Sequence, residues 1–414
     1  VATNSENQGW KVEHPCPQCG APVVLEETDR VLQCEYCRTR LYISTGGHSK
    51  YFLSPKESAP ELFFLPYWRF KGMVFSCTAT ELAGKIVDSN LLALKLPVVP
   101  VSLGVRPQVL KLRHLSPAVE GVFLTPQVPC RTLAVAGHGG CATQRLPDTF
   151  IGETESLIYS PVSVRGDFLF DAILQRPICQ LHERMDLFPS EPARQEDRIS
   201  FLATLCPECG WDLEGEKDSL VLLCRKCNKG WQPEGSGLER IEFGFTRAPV
   251  REAPAVYLPF WRITTTVTGL ALKSYADLAR LANLPRAIHG DWEEREPHFW
   301  VPAFKTQPHL FLRLSKSLSI LENEPELDCD AEIPTSPLFP VTLPLGEALA
   351  SLKILTASLA PPGKPIFSIM DKLNFSVSKS LLLYLPFISR GEELIQPGIA
   401  MSIQRNALLR GRLI

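Results

Sequence analysis

Cys16-Pro-Gln-Cys19, fourteen further residues, then Cys34-Glu-Tyr-Cys37: this spacing decides the reading of the chain, because it returns 190 residues on as Cys206-Pro-Glu-Cys209, fourteen residues, then Cys224-Arg-Lys-Cys227. Two Cys-x-x-Cys pairs at this separation let a short hairpin bring four thiolates to one tetrahedral metal, and zinc is the usual occupant of an all-sulfur structural site. The expected ligands are Cys16, Cys19, Cys34 and Cys37 in one site and Cys206, Cys209, Cys224 and Cys227 in the other, giving two structural Zn2+ ions. Gly20 and Gly210 suit the tight turn that points backbone amides at thiolate sulfur. A module this small buries too little apolar surface to fold alone, so its metal supplies roughly 10 to 16 kcal/mol of folding free energy. The protein fills every coordination position, which leaves none for a substrate. A rubredoxin-like iron site uses the same ligands; the second knuckles, Cys37-Arg38-Thr39 and Cys227-Asn228-Lys229, lack the glycine expected there, which favours zinc.

Outward from the cysteines, the repetition continues. Phe64-Leu65-Pro66-Tyr67-Trp68-Arg69-Phe70 is matched by Tyr257-Leu258-Pro259-Phe260-Trp261-Arg262-Ile263, at an offset of 193. Val99-Pro100-Val101 with Pro107 to Leu112 is echoed by Val301-Pro302-Ala303 with Pro308 to Leu314. Leu157-Ile158-Tyr159-Ser160-Pro161 and Arg165-Gly166-Asp167 are echoed by Leu383-Tyr384-Leu385-Pro386 and Arg390-Gly391-Glu392. Four landmarks in one order imply a tandem duplication. The second copy is longer, with extra residues around Ser274 to Pro297 and Glu324 to Pro340 that read as surface elements.

The expected fold class is α+β and β-rich, each half a four-cysteine zinc ribbon followed by a β-rich domain with a few helices. The boundaries read as ribbon 10–45, body 60–186, linker 187–199, ribbon 200–240 and body 250–414. Tyr67 to Thr80, Ser156 to Phe170 and Tyr257 to Thr268 are rich in aromatic and β-branched residues, with proline near their openings, and predict strands. Helical periodicity is clearest at Ser274 to Leu284 and at Leu345 to Leu359, while the glycine-rich segment Arg131 to Thr143 is a poorer helix.

Composition sets bounds on function. With 414 residues, 45% of them apolar, the chain can build sizeable cores, and a formal charge of -2 creates no overall pull toward nucleic acid. Lys11 to Ile43 holds four basic and five acidic residues, and Arg198 to Arg240 holds six and seven, so neither ribbon has the cationic surplus that phosphate binding requires. Arg225, Lys226, Lys229 and Trp231 form the one small basic-aromatic cluster. No apolar run reads as a membrane span, and no export signal is visible. The paired cysteines suit a reducing compartment, with the cytoplasm as the expectation.

Other candidates have plainer readings. Trp68 and Trp261 are expected in a core, with Arg69 and Arg262 on the opposite strand face; the alternative makes Trp-Arg a partner-binding edge. His138-Gly139-Gly140-Cys141 has no counterpart in the second half and reads as a turn, and Cys77, Cys130, Cys179 and Cys329 read as buried thiols. The run Ile403 to Ile414 is amphipathic and basic; packing on its own domain is expected, and peripheral membrane contact is the alternative. No nucleotide-binding, metalloprotease or serine-hydrolase motif occurs.

The Cys-Pro-x-Cys-Gly ribbon followed by Leu-Pro-Tyr/Phe-Trp-Arg resembles a group of prokaryotic transcription-factor-IIB-type zinc-ribbon proteins, over about a quarter of the chain. That label implies nucleic-acid binding, and several members lie near membrane-stress systems. The expectation from the residues is a non-enzymatic zinc-binding scaffold or adaptor with protein partners. A nucleic-acid-binding regulator and an accessory subunit of a redox complex stay open as alternatives.

Overall fold

The computed structural model describes residues 11–44, 47–56, 61–77, 82–104, 110–116, 119–130, 132–133, 148–181, 200–246, 255–323, 325, 327–328, 332–361, 366–399 and 401–414. It is strand-rich. The first half runs β1 (Lys11–Pro15), β2 (Pro22–Glu26), β3 (Val31–Gln33), β4 (Arg40–Ser44), β5 (Ser49–Phe52), β6 (Leu62–Cys77), β7 (Leu82–Leu92), β8 (Leu112–His114), β9 (Val122–Phe123), β10 (Thr149–Arg165), β11 (Phe168–Asp171) and β12 (Arg176–Gln180). The second runs β13 (Ser200–Ala203), β14 (Leu222–Cys224), β15 (Lys229–Glu234), β16 (Gly237–Ile241), β17 (Phe243–Thr246), β18 (Ala255–Thr268), β19 (His298–Pro302), β20 (Leu327–Asp328), β21 (Asn374–Arg390), β22 (Glu393–Gln396) and β23 (Met401–Gln404). The α-helices whose full span is described are α1 (Tyr275–Leu281), α2 (Asp291–Glu294), α3 (Pro308–Ser319), α4 (Leu345–Ala350), α5 (Leu352–Leu359), α6 (Ile366–Ile369) and α7 (Arg405–Arg412).

Two long antiparallel pairs organise the chain, β6 on β10 and β18 on β21. In the first half β5 joins β10 in parallel and β7 flanks β6; in the second β17 joins β21 in parallel and β19 flanks β18. The register also matches, with Pro66 opposite Tyr159 and Pro259 opposite Tyr384. Both β10 and β21 end in a two-residue turn opened by a glycine of positive φ, Gly166 at 60° and Gly391 at 58°, leading into β11 and β22.

The prolines lie inside these strands rather than at their openings, because β6 and β18 begin at Leu62 and Ala255. Pro66 is tolerated because β7 ends its pairing at Leu92, opposite Tyr67, so the missing N–H has no strand to bond. Its carbonyl instead accepts from the Ala93 N–H at 2.9 Å, and Pro259 accepts from Ala303 at 3.0 Å. Ala93 in turn accepts from Gln127 and Val128, as Ala303 does from Thr342 and Leu343. Leu91 to Ala93 therefore occupy the place of Val301 to Ala303, and the expected match with Val99 to Val101 fails. The next match fails too: Leu112 lies on β8 whereas Pro308 opens α3, where its absent N–H is one that a first helical turn leaves unused. The rest of the 107–112 stretch is described only from Leu110.

The segment from Ser274 to Pro297 is a surface element only in part: residues 285–291 are exposed, but its first helix is core. Ser274 and Asp277 form a capping box that starts α1, and Tyr275, Ala276, Leu278, Ala279 and Trp292 are buried in the largest core. The expected helix from Leu345 to Leu359 is two helices that meet at Ser351, whose hydroxyl donates to the Ala348 carbonyl at 2.7 Å.

One core joins the two halves. Met73, Phe75, Cys77 and Ile151, at the far ends of β6 and β10, pack with Phe311, Leu343 and Met370 from the second half. Gly84 permits this closeness, since a Cβ there would meet Phe75 and Pro308 at 2.8 Å. Among the described residues, no helix is long and apolar enough to cross a membrane. The expected linker at 187–199 and the segment from 134 to 143 lie outside the described residues.

Candidate metal centres

Each cysteine block closes into one cluster whose four sulfurs lie within 4.8 Å of one another. In the first, Cys16 and Cys37 are 3.7 Å apart and Cys19 and Cys34 are 3.6 Å apart; in the second, Cys206 and Cys227 are at 3.5 Å and Cys209 and Cys224 at 3.4 Å. A tetrahedral ion with metal–sulfur bonds near 2.3 Å spaces its ligands by roughly 3.8 Å, so both clusters fit a tetrathiolate metal. All eight cysteines expected as ligands are thus brought together, four and four.

The local chain explains the convergence. In the first knuckles, Gly20 donates to the Cys16 carbonyl and Gly210 to that of Cys206, each at 2.8 Å, with φ of 75° and 70°. The second knuckles reach the same left-handed conformation without glycine, through Arg38 at 61° and Asn228 at 58°. The lack of glycine at these positions therefore does not distinguish zinc from iron. The Thr39 hydroxyl lies 3.3 Å from Cys37 Sγ.

The two ribbons are built into each other. β13, which leads into the second ribbon, pairs with β4 of the first. The Lys217 carbonyl accepts from Arg30 and Val31 at 2.6 and 2.8 Å, continuing the free edge of β3. Val31 and Tyr42 share a core with Cys206, Leu213, Leu222, Cys224 and Trp231. Comparison with known proteins adds no relative. No family model, curated protein or solved structure matches this chain.

Each ribbon is also tied to a body, and differently. The first sends Glu27, from the turn between β2 and β3, onto Arg69 of β6: Glu27 Oε1 lies 3.1 Å from Arg69 Nη2 and 3.7 Å from Lys71 Nζ, and Asp88 of β7 holds the other side of Arg69. Both Glu27 and Arg69 are buried. The strand face opposite Trp68 is therefore not solvent but the seat of the first ribbon. The second ribbon holds Arg412 of α7, which lies 2.5 Å from Asp218 and 2.6 Å from Glu216.

Trp261 is buried and donates to the Leu343 carbonyl at 3.0 Å; Trp68 is half-buried and donates to Val128 at 2.7 Å. Arg225 is occupied by Glu214 at 2.7 Å and by the Pro334 carbonyl at 2.8 Å, Trp231 is buried, and Lys226 lies over the ring of Trp211. Arg225 and Lys226 thus stay exposed, Lys226 beside the exposed Trp211, while the expected aromatic member Trp231 is buried. Cys77 and Cys130 are buried, with burial raising the Cys77 thiol to about 11, whereas Cys179 is only half-buried. His138, Cys141 and Cys329 lie outside the described residues.

Sequence reading missed the buried charges. Besides Glu27 with Arg69, Lys305 is buried where the halves meet, its ammonium donating to the Thr154 hydroxyl at 2.7 Å and the Ile414 carbonyl at 3.1 Å. Burial lowers Lys305 to about 8 and raises nearby Glu347, which accepts from the Gly152 N–H, to about 7. The one available signal was Arg69 itself, a charge set among seven strand residues that otherwise read as core.

Proposed function

We propose that the chain is a tandem duplication of a zinc ribbon and a β-rich body, and that it acts as a non-catalytic scaffold or adaptor subunit within a larger protein assembly. The matched strand order and register of the two halves support the duplication. The observation that carries the functional reading is that each cluster draws four ligands from the protein and sits on hairpins locked into other parts of the chain. Metal held in this way fastens surfaces together and keeps no coordination position for a substrate. Zinc is the proposed occupant and the cytoplasm the proposed compartment.

The test is affinity purification from the native organism, with mass spectrometry and elemental analysis of the product. We expect a colourless protein with two zinc ions per chain and a partner retained in fixed ratio. A visible tetrathiolate-iron spectrum would replace zinc by iron and favour the redox-complex reading. Isolation of the chain alone, turning over a small molecule, would refute the adaptor role. For the nucleic-acid reading, suggested by the resemblance to transcription-factor-IIB-type ribbons, the decisive result is a salt-dependent mobility shift at about 50 mM salt. The internal engagement of Arg225 and burial of Trp231 weigh against it.

A further inference from the structure

A cavity of about 340 Å3 lies between the second ribbon and the body that follows it, a size at the lower end of small-molecule sites. Its walls are apolar: Val221 and Leu223 come from the ribbon, Leu338 and Val341 from the body, and the buried Tyr384 from β21. Burial raises the Tyr384 hydroxyl, so the phenol is a neutral donor.

The corresponding place in the first body is filled. Phe64 pairs in parallel with Phe123, as Tyr257 does with Leu338. The Phe123 ring stacks on Phe64 at 4.3 Å and meets Tyr159 edge-on at 5.0 Å. Leu338 at this register position puts a smaller side chain near Tyr384.

The rim supplies a sign. Glu214 is taken by Arg225, and Glu216 by Arg412. Arg40 donates its hydrogen bonds to the carbonyls of Leu213 and Gly215, while the carboxylates of Glu214 and Asp212 act on it only through space. A partly desolvated guanidinium held in this way favours an incoming anion, because charge-assisted hydrogen bonds exceed those to neutral acceptors.

We propose that this cavity binds a small amphipathic anion, a carboxylate with an aliphatic or aromatic body, the body packing on Leu338 and Tyr384 and the carboxylate on Arg40. This site uses none of the eight clustered cysteines, although Leu223 and Arg225 flank Cys224, and it does not depend on the adaptor role.

Calorimetric titration of the metal-loaded full chain with octanoate tests it, with octylammonium as the control of opposite charge. Saturable one-to-one binding of octanoate is expected, with octylammonium weaker by about tenfold or more. Arg40→Gln should weaken octanoate by about tenfold, and Arg40→Lys should restore part of the loss. Leu338→Phe, which puts the first body's phenylalanine in place, should abolish binding while metal content stays at two per chain. Val341→Phe provides a second filling variant should Leu338→Phe misfold, and Arg40→Gln decides if both do. Absence of saturation at about 10 mM octanoate would overturn the proposal, that concentration being beyond the range of a specific site. So would equal binding of octylammonium, or unchanged affinity in a folded filling variant or in Arg40→Gln.

Discussion

The two ribbons share a cysteine spacing and a knuckle geometry, yet they are fastened by opposite means. The first presses a buried glutamate, Glu27, onto a buried arginine, Arg69, in the middle of a sheet. The second reaches out with Asp218, which is buried, and Glu216 to an arginine on a C-terminal helix, where Arg412 keeps 24% of its side-chain surface in water and Glu216 keeps 50%. A metal can close a hairpin in either setting. What the hairpin then does for the fold depends on how dry its contact is, because removing one partner of a buried pair strands a desolvated charge whereas an exposed pair is screened.

The largest effect should come from the metals. Cys206→Ser with Cys209→Ser removes an ion worth roughly 10 kcal/mol or more of local folding free energy. Because Val31 and Tyr42 pack with Cys206 and Cys224, and Lys217 completes the edge of β3, the first site should then also surrender its metal faster to a chelator. Retention of the first metal at the wild-type rate would show that the ribbons are independent.

Next come the two fastenings. Arg69→Met should cost about 3 kcal/mol by leaving Glu27 buried with Lys71, at 3.7 Å, as its remaining cation. Arg412→Met should cost less, about 1 to 3 kcal/mol, because water screens Glu216 while Asp218 is left buried. Equal shifts in urea midpoint would remove the contrast between the ribbons.

A pH comparison addresses the junction of the halves, where Lys305 is buried at a place matched in the first half by exposed Lys95: the Lys95 N–H donates to Gln127 Oε1 and the Lys305 N–H to Thr342 Oγ1. Glu347, raised by burial from 4.5 to about 7, contributes fully below pH 4.5, and its contribution falls as pH rises through 7. Lys305, lowered by burial from 10.5 to about 8, contributes fully above pH 10.5, and its contribution falls as pH drops through 8. Relative to Glu347→Gln, the wild type should thus lose stability between pH 4.5 and 7; relative to Lys305→Met, it should gain between 8 and 10.5. Flat difference curves from urea midpoints would refute the assignment, and Lys95→Met should leave both limbs unchanged.

The smallest effect distinguishes the second knuckles. Arg38→Gly should stabilise by about 1 kcal/mol, since glycine adopts a positive φ without the steric penalty. Asn228→Gly should instead destabilise by about 1 kcal/mol, because the Asn228 side chain accepts from the Ile333 N–H at 2.9 Å. Thermal melts that move the same way in both variants would count against this distinction.

Much of the local structure was legible. The cysteine spacing specified which eight side chains would converge, since a knuckle is set by neighbours within a few residues. The Leu-Pro-aromatic-Trp stretches read as strands from their β-branched and aromatic content. The position of their prolines did not, because proline tolerance depends on where β7 and β19 cease pairing, which no residue within β6 or β18 reveals. Trp292 and Tyr275 looked like part of an insertion, and became core because they pack on each other, edge to face at 5.0 Å, within the largest cluster.

By itself, then, the sequence determined the two four-sulfur clusters, the strand-rich character and the paired order of motifs, because each depends on short-range spacing or on periodicity along the chain. Only the tertiary structure decided that Glu27 would bury against Arg69, that the ribbons would share a sheet and a core, and that Leu338 would stand where Phe123 stands in the first body. Those outcomes rest on contacts across 40 or more residues, including the 42 between Glu27 and Arg69. The physical reason is desolvation: whether a charge or an apolar face is buried is fixed by what covers it, and the cover comes from elsewhere in the chain.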